Sequence, residues 1–177
     1  MQNITYNKTT YMALAGLFAA LIAVGSWISI PLGFTPVPMN LATLAVFLAG
    51  GLLGAKYGAV STAVYAMVGA VGAPVFAGFR GGLSVIAGPT GGYIVGYILA
   101  ALIVGIIVSR ESGIIRVITA MILGLAACYL LGTAWFMIST NTGFAAAMVA
   151  CVIPFLPGDA IKIIAGAILV KKLRKHI

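Results

Sequence analysis

The sequence predicts an all-α integral membrane protein with six transmembrane helices, both termini cytoplasmic and Gly/Pro-rich outer loops. Three observations predict it. Of 177 residues, 63% are apolar and only 7% charged. Soluble domains carry roughly 25% charged residues, so this chain cannot clothe a water-facing surface. The apolar runs are long and unbroken, unlike the alternating strands of a barrel. In lipid only helices and closed barrels satisfy the backbone, so the runs read as helices. Finally, the charges and the prolines fall at opposite ends of the predicted spans.

A spanning helix takes about 20 residues, with a range of roughly 17–25. The chain has room for six in one membrane domain, 1–177. The first span covers about residues 11–30. Residues 31–38 hold Pro31, Pro36 and Pro38 and cannot be helical. The second span covers about 40–54, and Ala55-Lys56-Tyr57 makes a tight connection to the third, about 58–71. A Gly/Pro-rich stretch follows over 72–92, with a short apolar piece inside it. The fourth span covers about 93–108, then a polar loop leads to the fifth, about 114–138. A short apolar piece, 144–153, ends at Pro154, and the sixth span covers about 157–170.

Lys8, Lys56, Arg110, Arg116, Lys171, Lys172, Arg174 and Lys175 all fall on one side of these spans. That is the positive-inside pattern. It accounts for the net charge of +8 without nucleic acid, which would need a basic face or a fold motif. No removable signal peptide is expected in the polar first ten residues. All seven prolines, from Pro31 to Pro157, fall on the other, outer side. Irregular backbone at membrane depth is tolerated where it is buried in protein or lines a cavity. A ligand cavity at the outer end, capped by these connections, is therefore expected.

Two cations escape the inner set, Arg80 and Lys162, and the chain has only two acids, Glu111 and Asp159. Asp159 and Lys162 lie three apart on one helix face. An ionised group deep in a span costs at least about 2.5–3.5 kcal/mol, so such groups pair, face an interior or meet a polar ligand. Asp159 either caps a helix or accepts from a ligand. Lys162 is either its partner or a donor, and Arg80 either a solvated loop charge or a ligand contact. Together they suit a small ligand with a carboxylate and a polar N–H group. Ala77-Gly78-Phe79-Arg80-Gly81-Gly82 and Gly88-Pro89-Thr90-Gly91-Gly92-Tyr93 lie on the same outer side. Their glycines, Gly78 and Gly82 among them, permit tight turns or close approach to a ligand. Phe79 and Tyr93 would add aromatic walls or core packing. Ala15, Ala19 and Ala23 make a small-residue stripe, which lets a helix of this bundle or of another subunit approach closely.

Enzymatic chemistry finds little support. Acid–base or metal catalysis wants clustered His, Asp, Glu or Cys. The single histidine, His176, is on the tail, and the two acids lie on opposite sides. Cys128 and Cys151 read as small buried hydrophobes. No phosphate-binding Gly-x-x-x-x-Gly-Lys-Ser/Thr loop is present, so ATP would have to be hydrolysed by a partner. No metal or cofactor is expected. A self-sufficient secondary transporter of a small carboxylate-bearing solute, with Asp159 as proton relay, is the alternative, though no inverted repeat is evident. A structural scaffold would need neither Asp159 nor the Gly-rich loops.

The chain resembles the biotin-specific substrate-binding components of energy-coupling-factor (ECF) transporters, the BioY family. The resemblance runs over about 13–173. It rests on residues 17–25, on Ile30-Pro31-Leu32-Gly33 with Pro36-Val37-Pro38, and on Gly72-Ala73-Pro74-Val75-Phe76-Ala77-Gly78. It rests too on Gly88-Pro89-Thr90-Gly91-Gly92-Tyr93 and on Pro154-Phe155-Leu156-Pro157-Gly158-Asp159 followed by Lys162. It implies a multi-pass protein of the bacterial cytoplasmic membrane that binds biotin near the outer face with Asp159 and Lys162. It also implies docking through the alanine stripe onto a transmembrane coupling subunit that carries two ATPases. The chain departs from the family at Asn40-Leu41-Ala42-Thr43, where similar proteins carry Thr-Leu-Gln-Thr. Ala42 supplies no amide there, which leaves Asn40 to do so.

Overall fold

The computed structural model describes residues 7–109 and 111–174; Arg110, Lys175, His176, Ile177 and the first six residues lie outside the described residues. The first helix, α1 (Lys8–Trp27), stops three residues short of the expected span. Ile30 precedes Pro31, and a residue before proline is pushed into extended conformation. Ser29–Ile30 (β1) accordingly pairs antiparallel with Met39–Asn40 (β2), with Ser29 opposite Asn40. The proline-rich connection is thus a small hairpin whose strands were not expected from the sequence.

Helix α2 (Ala42–Ala70) holds both the second and third expected spans. Its one non-helical residue is Gly54, at φ 77° and ψ 179°. That backbone region is open essentially to glycine alone. The consequence is a reversal: a Cβ placed on Gly58 would stand 2.7 Å from Gly50 Cα. Residues 42–53 and 55–70 are therefore two limbs folded back on each other. Ala55-Lys56-Tyr57, expected as the connection, is the start of the second limb, because Gly54 alone makes the turn.

Beyond it come the short α3 (Leu83–Ala87), then α4 (Gly91–Ile107) and the long α5 (Ile114–Thr140). The chain ends in α6 (Phe144–Cys151), a 3₁₀ turn at Ile153–Phe155 and α7 (Leu156–Leu173). Pro154 and Pro157 lie at that break, where a continuous helix would lose backbone hydrogen bonds. Among the described residues four stretches are long and apolar enough to cross a membrane: Lys8–Trp27, Ala42–Ala70, Ile114–Thr140 and Phe144–Leu173, with Gly91–Ile107 a shorter apolar helix. Leu17, Ile106, Ile115, Leu130, Ile138 and Ile161 stand exposed on their outer faces. In water such a belt would be an aggregation site; on a bundle of this composition it is a lipid-facing surface. The molecule is an all-helical, multi-pass membrane protein.

Two buried clusters fill the bundle. One gathers Ile22, Val46, Tyr65, Phe76, Tyr97 and Phe155; the other gathers Phe47, Leu52, Val104, Val117, Met121 and Val170. The two ends differ in kind. At one end Arg174 donates to the carbonyls of Gly51 (2.6 Å) and Val108 (3.2 Å), and Lys171 to that of Ser112 (3.1 Å). Tyr11 stacks on Tyr57 at 4.8 Å there, beside Lys56. The other end carries the β-hairpin, the 72–90 loop, the 3₁₀ turn and the start of α7, which hold the prolines.

Candidate functional site

Asp159 lies in the first turn of α7, one turn before Lys162. Both side chains are buried, with the two residues only 4% and 7% exposed. Lys162 Nζ donates to Asp159 Oδ1 at 2.8 Å. The hydroxyl of Tyr129, on α5, donates to Asp159 Oδ2. Each carboxylate oxygen thus has a donor, and one unit of each charge cancels inside the bundle. Removing one partner of such a buried pair costs about 3–5 kcal/mol, because the other is left uncompensated.

This cluster forms the polar end of a cavity of about 710 Å³, counted out to its open mouth. Tyr65, Phe76, Tyr93, Tyr97 and Phe155 supply aromatic walls. Asn40, Thr43, Cys128 and Cys151 add small polar or polarisable patches, and Pro38, Arg80, Val85 and Thr90 also line it. Mostly apolar lining with a few placed polar groups is the usual make-up of a small-molecule site. The walls are fixed by hydrogen bonds that do not involve a ligand. Tyr65 and Ser26 share a 2.7 Å bond, and Tyr93 and Thr133 one of 3.0 Å. Asn40 Oδ1 accepts from the Ala42 amide at 3.1 Å, which positions the start of α2.

The mouth is built differently. Phe76 N donates to Arg80 O at 2.9 Å, closing a tight turn in which Gly78 and Phe79 adopt φ 70° and 56°. Gly82 is likewise left-handed, at φ 100°. Phe79 stacks on Trp27 with ring centroids 5.2 Å apart, and Trp27 Nε1 donates to Pro74 O at 2.8 Å. The Arg80 side chain is held in the turn by Nε donating to Ala77 O at 3.1 Å, and it remains exposed at the rim.

Of the residues singled out from sequence, Asp159, Lys162, Arg80, Thr90, Tyr93 and Asn40 come together on the cavity. Gly78, Phe79 and Gly82 do not line it. Phe79 is 63% exposed and serves as a stacking latch on Trp27. The expectation of a docking stripe at Ala15, Ala19 and Ala23 is corrected by burial. All three are buried within the chain, on the face of α1 that packs against α2. The exposed small residues of α1 are Ala13, Gly16 and Ala20. Sequence reasoning missed Tyr129, Tyr97 and Tyr65. Their signal was a hydroxyl inside an otherwise apolar span, the kind of group that must find a partner there.

The BioY family model matches residues 1–177. The chain belongs to the BioY family. Its relatives within BioY include the biotin transporter BioY of Thermotoga maritima, 41% identical over 162 residues, covering 91% of this chain and 94% of that one. The probable biotin transporter BioY of Pyrococcus horikoshii is 40% identical, covering 94% and 98%. Among solved structures, the chain is similar to the S-component for biotin from an ECF-type ABC transporter, with a TM-score of 0.86 at 29% identity. That match covers 99% of this chain and 95% of the other. The likeness therefore takes in every element that builds the cavity of this BioY chain, from the hairpin to α7.

Proposed function

We propose that this BioY protein is the biotin-binding component of an ECF-type uptake transporter, and that the cavity above Asp159 is its biotin site. The observation that carries the reading is the Asp159–Lys162–Tyr129 cluster closing the deep end of an aromatic cavity. Biotin's ureido group offers N–H donors and a carbonyl acceptor. Asp159 takes the donors and Lys162 serves the carbonyl. The apolar thioether ring and chain lie among Tyr65, Phe76, Tyr93, Tyr97 and Phe155. A buried polar site of this kind strongly rejects analogues that lack its hydrogen-bonding groups.

The two limbs of α2, with α1, α4, α5 and α7, make six membrane crossings. At 1.5 Å per residue the limbs are only about 18 and 24 Å long, so the turn at Gly54 lies at or within the membrane interface. We place the end carrying Lys8, Lys56, Lys171 and Arg174 in the cytoplasm, in a bacterial plasma membrane. A cysteine put at Lys56 would then be labelled by an impermeant maleimide only after the membrane is opened. Docking onto the transmembrane coupling subunit falls to the exposed Ala13, Gly16 and Ala20 of α1, whose small side chains allow close helix approach. ATP hydrolysis belongs to the partner ATPases; this chain is a transport component, not an enzyme.

Calorimetric titration with biotin tests the reading. Purified protein should bind one biotin saturably. Asp159→Asn should weaken binding by at least about a hundredfold, because a charge-assisted hydrogen bond disappears from a buried site. Undiminished binding by the variant would place biotin elsewhere.

A further inference from the structure

The two donors to the Asp159 carboxylate come from different helices. Lys162 stands one turn further along α7 and serves Oδ1. Tyr129 reaches across from α5 and serves Oδ2. The lysine bond alone leaves the carboxylate free to turn, because the outer torsion of an aspartate is broad rather than staggered. The lysine stem is itself flexible, so a pair made within one helix sets no fixed plane. The tyrosine bond supplies what is missing. With both oxygens held, and from two helices, the carboxylate plane is fixed relative to the cavity. Tyr129 is suited to fix it. A tyrosine side chain turns on only two torsions. Its ring packs against both buried clusters of the bundle, so the core sets the place of the hydroxyl. The residue also lines the cavity. Other wall tyrosines spend their hydroxyls on neutral partners, Tyr65 on Ser26 and Tyr93 on Thr133.

We propose that Tyr129 is a positioning residue for ureido recognition: its hydroxyl sets Asp159 in the binding orientation before the ligand arrives. The proposal rests on the biotin reading and adds to it a residue that acts through Asp159 rather than on the ligand. An ionised carboxylate offers about four lone-pair sites. Lys162 and Tyr129 take one on each oxygen, which leaves acceptor capacity on both for N–H donors from the cavity. Because the plane is fixed beforehand, the direction of that remaining capacity is fixed too. A site held ready in this way avoids the cost of ordering a side chain at the moment of binding.

The sequence provides a direct probe. Asp159 is the only aspartate in the chain, so protein made with aspartate labelled at the side-chain carboxyl with carbon-13 shows this one carboxylate as a single resonance. Tyr129→Phe removes the hydroxyl and keeps the ring. Without ligand, the variant should shift and broaden the Asp159 resonance, because the carboxylate now samples more than one orientation. Adding biotin should narrow it again. Calorimetry should show biotin affinity lowered by about two- to tenfold, the range for one side chain ordered at binding instead of beforehand, and well short of the loss from Asp159→Asn. A Tyr129→Phe protein with the wild-type resonance would overturn the proposal, since the hydroxyl would then not act through Asp159. Wild-type affinity in the variant would overturn it equally, since the bond would then serve the fold alone. Should Tyr129→Phe not fold, Tyr129→Met, which also lacks the hydroxyl, takes its place under the same criteria. Absence of biotin binding by folded wild type would instead strike the biotin reading, and the proposal with it.

Discussion

Asp159 ties its own helix to a neighbouring one through a single side chain. Its carboxylate receives Lys162 from α7 and Tyr129 from α5. The carboxylate and ammonium were legible in the sequence because ionised groups are so rare in this chain that each one needs a reason. Tyr129 was not legible, because a tyrosine within an apolar span reads as packing until its hydroxyl is placed. Arg80 was legible as a charge, but its place on the rim of the cavity, with no ion pair to an acid among the described residues, emerged only with the fold. The pairing makes a distinction between stability and binding. Asp159→Asn should lower the midpoint of thermal unfolding, since it strands a buried ammonium at a cost of about 3–5 kcal/mol. Asp159→Asn with Lys162→Met should recover most of that midpoint, because the stranded charge is gone, yet still fail to bind biotin. Recovery of binding along with stability would show that the pair serves the fold alone. Detergent-based thermal unfolding followed by titration reads both.

Element by element, long apolar runs were the easiest features to read, and their ends the hardest. α4 and α5 start and stop within about two residues of expectation, because glycine, serine and charged residues flank them. α1 ends early because Pro31 draws Ile30 into a strand. The connection between the limbs of α2 was misplaced by one to three residues, because a single glycine in a left-handed extended conformation does the work of a loop. The alanine stripe failed for a different reason. Periodicity reveals that a face is small, but not which way the helix is turned, and α1 turns that face toward α2. At Gly54 a Cβ would meet no neighbouring atom, so substitution tests backbone conformation apart from packing. Gly54→Ala should destabilise the protein by about 1–3 kcal/mol, the cost of holding a side-chain-bearing residue in that region. Biotin affinity should change little, since the turn lies at the end of the bundle away from Asp159. An unchanged melting temperature would mean that the reversal does not depend on glycine at this position.

For the molecule as a whole, composition was decisive for the solvent, and the opposite placement of charges and prolines was decisive for the two ends. The basic end is tied by side-chain to backbone hydrogen bonds: Arg174 to Gly51 and Val108, Lys171 to Ser112. The other end is assembled from a hairpin, a strained turn and a broken helix. Backbone of that kind is the part of a membrane protein that forms sites, and the cavity opens there. Sequence left open the depth of the polar groups; Asp159 and Lys162 are buried, and on the proposed reading the ureido head points inward to them. The most direct measurement is a structure of this protein with biotin bound. The ureido ring should lie within hydrogen-bonding distance of Asp159 and Lys162, with the thioether ring and chain among Tyr65, Phe76, Tyr93, Tyr97 and Phe155. A ligand with its carboxylate at Lys162, or one outside the cavity altogether, would contradict this assignment.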